Sequence, residues 1–373
     1  MATHRAYVQE HPNAPVNLQT VPTPTPSTGE VLITVLATPL LSYTQGVLSG
    51  DLFPLVHPLT LGIAAIGRIT SCGPDCTTLT PDQLVFCSPI IRARDDPSGG
   101  TSILQGWFGG VTPQARKLME GPWRHGSWAE KMVVPVENAV PLDEDTLLGK
   151  LGYSVPQLCW INEFVVPFGG LLAAGVGAGA TVIIAPATGH FGGCAVQVAL
   201  ALGARTIVAA GRSKAGLEKV EMLDPSGRVK AVTLTGDVDA DAGALRRATP
   251  AGVGADAYID FSPPQAEGAN HPQACVSALR YGGQAVLMGG IRGNLTLNYA
   301  QLMINNVSLR GNFMYGPEAP AKFVGLLGGG LIGLKGLNTE VFGFEKLYEG
   351  IQFAESHVGS TELTVLTPVE GQP

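Results

Sequence analysis

The segment Thr181-Val182-Ile183-Ile184-Ala185-Pro186-Ala187-Thr188-Gly189-His190-Phe191-Gly192-Gly193-Cys194 decides the fold. Its first half is apolar and β-branched, as in a strand buried on both faces. Its second half is a run of small residues from which a helix is expected over Gly192–Leu202. Downstream the pattern repeats, with a strand over Thr206–Ala210, a helix over Lys214–Leu223, and strands over Ala231–Thr235, Ala255–Asp260 and Gln284–Met288. Strands that alternate with helical stretches return by crossovers, so the region predicts an α/β, doubly wound parallel sheet.

Upstream, from Arg5 to about Val140, short strands are broken by turn residues without any long helical period. Val31–Ala37 is the clearest of them, entered through the proline-rich stretch Pro22–Pro26; Leu61–Thr70 is interrupted by Gly62 and Gly67. A β-rich domain, a partly open barrel, is expected there. Ile91–Gly126 is a long irregular insertion carrying Trp107, Phe108 and Trp123. A packed surface excursion and a substrate lid are equally good readings of it. Phe164–Ala185 carries no charge and is long enough to span a bilayer by count. Its glycines at 169, 170, 175, 177 and 179 argue instead for a short buried helix, a glycine turn and a central strand. A helix over Ala319–Leu327 and a strand over Glu362–Leu366 follow, the strand rejoining the first domain. The expected division is 1–162, 163–313 and a returning segment 314–373.

Composition narrows the partners. With 373 residues the chain has length for two cores. A net charge of −7 leaves no basic field for phosphate backbones or anionic lipid, so neither nucleic acid nor a membrane is expected as a partner. Six scattered cysteines in a chain that needs no staples suit a reducing compartment. The opening residues run into an alternating segment with no apolar core of a signal peptide, which adds to the expectation of a cytoplasmic protein. Cys72 and Cys76 form the only close pair, and nothing nearby completes a four-ligand zinc site. No serine stands in a Gly-x-Ser-x-Gly elbow, so hydrolase chemistry has no support. His57 and His125 are read as structural or surface residues.

The chemistry concentrates at two strand ends. Gly189 and Gly192 occupy the last two positions of the dinucleotide fingerprint, with Ala187 where its first glycine usually stands. The match gains weight from its context of buried strand, helix and second strand within about 20 residues. Backbone N–H groups along Thr188, Gly189, His190, Phe191 and Gly192 can then approach a pyrophosphate at a positive helix end. For His190 the backbone, rather than the imidazole, is the expected contributor. The alternative is a glycine turn with no ligand. The second strand runs into Gly211-Arg212-Ser213-Lys214. A site preferring NAD would carry Asp or Glu here for the ribose hydroxyls. Arg212, Ser213 and Lys214 offer a fork, a hydroxyl and a point charge to a 2′-phosphate instead, which implies NADP(H). Solvated surface charges are the alternative.

With these segments, and with Gly126–Glu130, Gly254–Asp260, Leu279–Gly289 and Leu309–Asn312, the chain resembles the medium-chain dehydrogenase/reductase superfamily over nearly its whole length. The resemblance implies a GroES-like, β-rich catalytic domain in two sequence pieces around a Rossmann cofactor domain, and hydride transfer to or from nicotinamide. It also assigns Met288 and Gly289 to the carboxamide-contacting region and Asn312 to the segment that closes it. Departures from the zinc enzymes of that superfamily are informative. Where they carry a catalytic histidine this chain has Ile63, where they carry a cysteine ligand it has Leu41, and their third ligand falls near Asn162. The cysteine-free insertion replaces their four-cysteine lobe. The chain therefore looks like the zinc-independent branch of quinone oxidoreductases, enoyl reductases and alkenal reductases.

Without a metal, charge on a substrate oxygen needs another donor. Tyr43 lies two positions after the lost cysteine, where zinc enzymes keep a relay hydroxyl. A phenol there can donate a hydrogen bond to an enolate, or it can simply form a wall. Asn162 and Ser42 are further polar candidates. The expected function is NADPH-dependent reduction of a conjugated C=C bond in a hydrophobic small molecule. Its rivals are carbonyl or imine reduction on the same cradle, and an NADPH-binding protein with little redox activity. A homodimer is expected from the family.

Overall fold

The apolar run at 181–185 is buried at every residue because both of its faces are covered. It forms β1 (Thr181–Ala185), the third strand of a six-stranded sheet completed by β2 (Thr206–Gly211), β3 (Val229–Thr233), β4 (Ala255–Asp260), β5 (Leu279–Leu287) and β6 (Ser308–Gly311). All neighbours are parallel, in the order β3-β2-β1-β4-β5-β6. The winding reverses between β1 and β4, and ligands of doubly wound sheets bind at the carboxyl ends of the strands beside such a switch. Ile183, Val208, Tyr258 and Ala285 share one core on this sheet, where burying each larger aliphatic side chain contributes about 2 kcal/mol.

Helices α1 (Trp160–Ala173), α2 (His190–Ala201), α3 (Lys214–Glu221), α4 (Val238–Arg247), α5 (His271–Ser277), α6 (Tyr299–Ile304) and α7 (Ala319–Gly328) belong to this half of the chain. The computed structural model describes residues 2–369 and divides into two compact units. One contains residues 2–162, 334–358 and 362–369; the other contains Glu163–Gly333 and Gly359–Thr361. The chain thus leaves the sheet unit at Leu334 rather than at the expected residue 314. The reason is α7, whose Phe323 stacks on Phe164 of α1 at 5.7 Å and meets Phe168 at 5.8 Å.

Three boundaries differ for local reasons. β3 starts at Val229, two residues early, because Asp224 Oδ2 accepts from the N–H groups of Arg228 and Val229 and closes the turn there. β5 starts at Leu279, since the strand continues through Gly282 at φ +71° and a register irregularity beside Ala255 and Ala257. α2 starts at His190, ahead of Gly192. The uncharged stretch at 164–185 divides as expected into helix, glycine turn and strand. Among the described residues no helix is long and apolar enough to cross a membrane.

The other unit is β-rich. Its largest sheet runs Ala139–Pro141, Leu84–Cys87, Ala65–Cys72, Glu30–Leu40, Glu362–Thr367 and Asn338–Gly343 in spatial order, with Lys131–Pro135 also pairing with Glu30–Leu40. The strand at 362–367 is antiparallel to the one at 30–40, with Thr364 opposite Leu40, so this strand does rejoin the first domain. The insertion is built in rather than irregular: Ile90–Arg92 pairs with Ser102–Leu104, and Thr112 caps a helix over Pro113–Glu120. Trp107 is 1% exposed and the Trp123 indole donates to Glu30, which favours the packed reading over the lid.

Candidate active site

The turn after β1 is made of backbone. Gly189 is the N-cap of α2 in an extended conformation, φ −80° and ψ 172°, and a Cβ built there meets nothing within 4 Å. At Gly192 a Cβ would collide with the Pro186 carbonyl and come within 2.8 Å of Ala187 Cα, so only glycine lets the helix pass this close to the strand. The space beside Gly189, at the positive dipole end of the helix, is thus open, as anion binding there requires. Ala187 fixes the turn to its neighbour through N–H donation to the Ala210 carbonyl at 2.8 Å.

The His190 imidazole, which was not the expected contributor, is engaged at both ring nitrogens. Its Nε2 stands 2.8 Å from Glu163 Oε2, and its Nδ1 stands 3.0 Å from the Gly359 carbonyl. The Glu163 side chain is fully buried. Phe191 meets the imidazole edge-on, with ring centres 5.5 Å apart. Burial, with the Glu163 charge adding to it, pushes the Cys194 thiol well above its usual range. The Glu163–His190 contact was not legible in the sequence, where the available signal was a carboxylate standing immediately before a long uncharged run.

The turn after β2 is made of side chains. Arg212, Ser213 and Lys214 are all exposed, while Gly211 is buried at the strand end. Ser213 caps α3 by accepting from the Gly216 N–H at 3.1 Å, which leaves its O–H able to donate outward. Thr188 links the two turns: a Cβ on Gly211 or Gly216 would lie 3.2 or 3.0 Å from its Cγ2.

Beyond the switch, Asp260 at the end of β4 accepts from Tyr258 Oη at 2.9 Å and from Ser262 Oγ at 2.5 Å. Ser262 Oγ in turn stands 2.7 Å from His271 Nε2. Burial pushes His271 down; Asp260 opposes that shift, and the Arg212 charge adds to it. No motif in the sequence pointed to this network. Met288 and Gly289 follow β5 beside it: Met288 N–H donates to the Asp260 carbonyl at 3.1 Å, and a Cβ on Gly289 would collide with the Asp260 carboxylate. Asn312, after β6, donates its N–H to the Leu287 carbonyl at 3.0 Å and its side-chain amide to the Met314 carbonyl at 2.8 Å. The sequence-predicted cofactor residues thus gather at the carboxyl ends of β1, β2, β5 and β6.

In the β-rich unit, Tyr43 is half-buried at the N-cap of the helix Thr44–Leu48, its ring edge-on to Trp107 at 6.1 Å. Leu41, Ile63 and Asn162 are buried. The loop carrying Ile63 turns through Gly62 at φ +110° and Ala64 at φ +55°, and Thr38 Oγ1 ties it to Ser127 Oγ at 2.6 Å. Among the described residues no group of three or more His, Cys, Asp or Glu is arranged to hold a metal ion. His57 pairs with Gln9 Oε1 at 3.0 Å. His125, pushed down to about 4 by burial, accepts from the Thr60 N–H. Both serve as packing residues.

Two family models match the chain: the alcohol dehydrogenase GroES-like domain over residues 27–144 and the zinc-binding dehydrogenase model over residues 191–328. The chain belongs to the medium-chain dehydrogenase/reductase superfamily. It is an oxidoreductase of that type, with the GroES-like and Rossmann-like domains of the fold, a fold that binds nicotinamide cofactors. An L-galactonate-5-dehydrogenase of Escherichia coli (strain K12) is 25% identical over 336 residues, covering 87% of this chain and 88% of the relative. Two solved structures share the superfamily fold. An alcohol dehydrogenase from Escherichia coli CFT073 complexed with NADH has a TM-score of 0.79 at 18% identity, covering 99% of this chain and 100% of that one. The crotonyl-CoA carboxylase/reductase AntE in complex with NADP has a TM-score of 0.77 at 16% identity, covering 98% and 94%.

Proposed function

We propose that this oxidoreductase is a zinc-independent, NADPH-dependent reductase of a conjugated C=C bond in a hydrophobic small molecule. The observation that carries the reading is the turn Gly211-Arg212-Ser213-Lys214, with exposed cations and a hydroxyl where an NAD site would hold a carboxylate. The fold itself is indifferent, since the solved neighbours carry NADH in one case and NADP in the other. The residues present fit the dinucleotide: the open approach at Gly189 and the leading N–H groups of α2 suit a pyrophosphate, and Arg212, Ser213 and Lys214 suit a 2′-phosphate. Met288, Gly289 and Asn312 would flank the carboxamide. When bound, NADPH supplies a hydride from its nicotinamide ring.

A catalytic zinc does not fit. Leu41 and Ile63 offer no donor atom, and Asn162 offers only an amide, whereas zinc takes thiolate, imidazole or carboxylate. Charge developing on the substrate oxygen therefore falls to a hydroxyl donor, and Tyr43, two positions after Leu41, is the phenol assigned that role. Toward an enolate left on the substrate, Tyr43 would donate a hydrogen bond to the oxygen, and a proton from Tyr43 or water would complete the α-carbon. Tyr43→Phe is expected to lower kcat roughly 100-fold while leaving NADPH affinity within about 2-fold. Unchanged turnover on the true substrate would remove Tyr43 from the chemistry.

The name of the galactonate dehydrogenase relative favours a second reading, reduction of C=O, on the same cradle. The two separate by product. Chelator-treated protein is given NADPH with a conjugated enone and, separately, with its saturated ketone, and products are identified by mass. Reduction of the enone alone supports the proposal; turnover of the ketone supports the carbonyl rival. Silence with both substrates, despite NADPH binding, favours a binding protein with little redox activity. A homodimer through β6 is also proposed. Its residues are exposed, and Leu309, Phe313, Tyr299, Met303 and Ile304 leave apolar surface along that edge.

A further inference from the structure

His190 is the first residue of α2, and both of its ring nitrogens face acceptors. A carbonyl can only accept, so the Nδ1 opposite Gly359 carries a hydrogen. The Nε2 faces the fully buried Glu163 carboxyl group, and a charge in such a place requires a paired, hydrogen-bonded partner. The ring therefore joins three segments of one unit: α1 through Glu163, the dinucleotide turn through its own backbone, and Gly359–Thr361. The last of these closes on the turn at a second point, since a Cβ on Gly193 would collide with the Ser360 side chain. Of the titratable groups against the pair, Cys194 on α2 stays a neutral thiol, because burial and the Glu163 charge both oppose its ionisation.

We propose that Glu163 is a positioning residue: its carboxylate holds His190 as an imidazolium, and this clamp fixes the first turn of α2 in the conformation that receives the cofactor pyrophosphate. The proposal rests on the dinucleotide reading given above. It differs from the 2′-phosphate assignment in its consequence, because a pyrophosphate is common to NADPH and NADH. Loss of the clamp weakens both nucleotides by the same factor, whereas loss of Arg212 weakens one.

The test has a spectroscopic arm and a binding arm, both on the full chain. Nitrogen-15 histidine spectra at neutral pH, without nucleotide, are expected to show both His190 ring nitrogens protonated; a neutral tautomer in the wild type overturns the proposal. In Glu163→Gln the amide can donate to a neutral Nε2, so the imidazolium signature disappears while affinity for NADPH and NADH stays within about 3-fold of wild type. Glu163→Leu removes the carboxylate facing Nε2 and is expected to weaken both nucleotides equally, by about 10-fold or more. Should that variant fail to fold, His190→Ala, at a partly exposed ring, carries the same expectation. Wild-type affinity in Glu163→Leu or His190→Ala, or a loss confined to NADPH, overturns the clamp and leaves the NADP(H) reading standing. If the wild type binds neither nucleotide, the cofactor reading falls and the clamp with it.

Discussion

The turns that end β1 and β2 lie side by side and work by opposite means. After β1 the working surface is backbone: glycine at 189 leaves an approach open, glycine at 192 brings helix against strand, and the nearby charge is paired inside the protein. After β2 the working surface is side chain: Arg212, Ser213 and Lys214 stand in solvent with a buried glycine behind them. Backbone N–H groups cannot distinguish one dinucleotide from another, but side chains at the ribose can. On the proposed reading, the first turn decides whether a dinucleotide binds and the second decides which one.

Substitutions can break that division. Gly192→Ala carries the largest expected effect, a loss of about 3 kcal/mol in stability measured by chemical denaturation, because its Cβ has nowhere to go. Arg212→Ala is expected to weaken NADPH by about 30-fold and NADH by less than about 2-fold in fluorescence titrations, the loss of charge-assisted bonds to one phosphate. Equal losses for the two nucleotides would move Arg212 into the role given to the first turn. Ser213→Ala removes a helix cap as well as a donor, so about 1 kcal/mol of stability should go together with a smaller loss of NADPH affinity. Gly189→Ala is the finest test. Its φ of −80° and the empty space around it predict a change in stability below about 0.5 kcal/mol, while both nucleotides weaken because the methyl stands in their approach.

What could be read from the residues follows the range of the forces involved. The β1 strand, the glycine turn and α2 were legible because burial, β-branching and small residues are local signals. The start of β5 was hidden by Gly282 and Gly283, which look like a turn and instead continue a strand. The helix at 113–120 was missed despite the start signal Thr112-Pro113, which the surrounding irregular composition masked. The place of α7 was not legible at all, since it depends on Phe323 meeting Phe164 and Phe168, residues far away in sequence. The same holds for the candidate site. Arg212, Ser213 and Lys214 announce themselves at a strand end, whereas the Glu163–His190–Gly359 bridge and the Asp260–Ser262–His271 network join residues that only folding brings together.

The most direct measurement is a side-by-side titration of the wild-type protein with NADPH and NADH. NADPH is expected to bind tighter by about 100-fold, the contribution of a 2′-phosphate held by Arg212, Ser213 and Lys214. Equal affinities, or tighter binding of NADH, would contradict it.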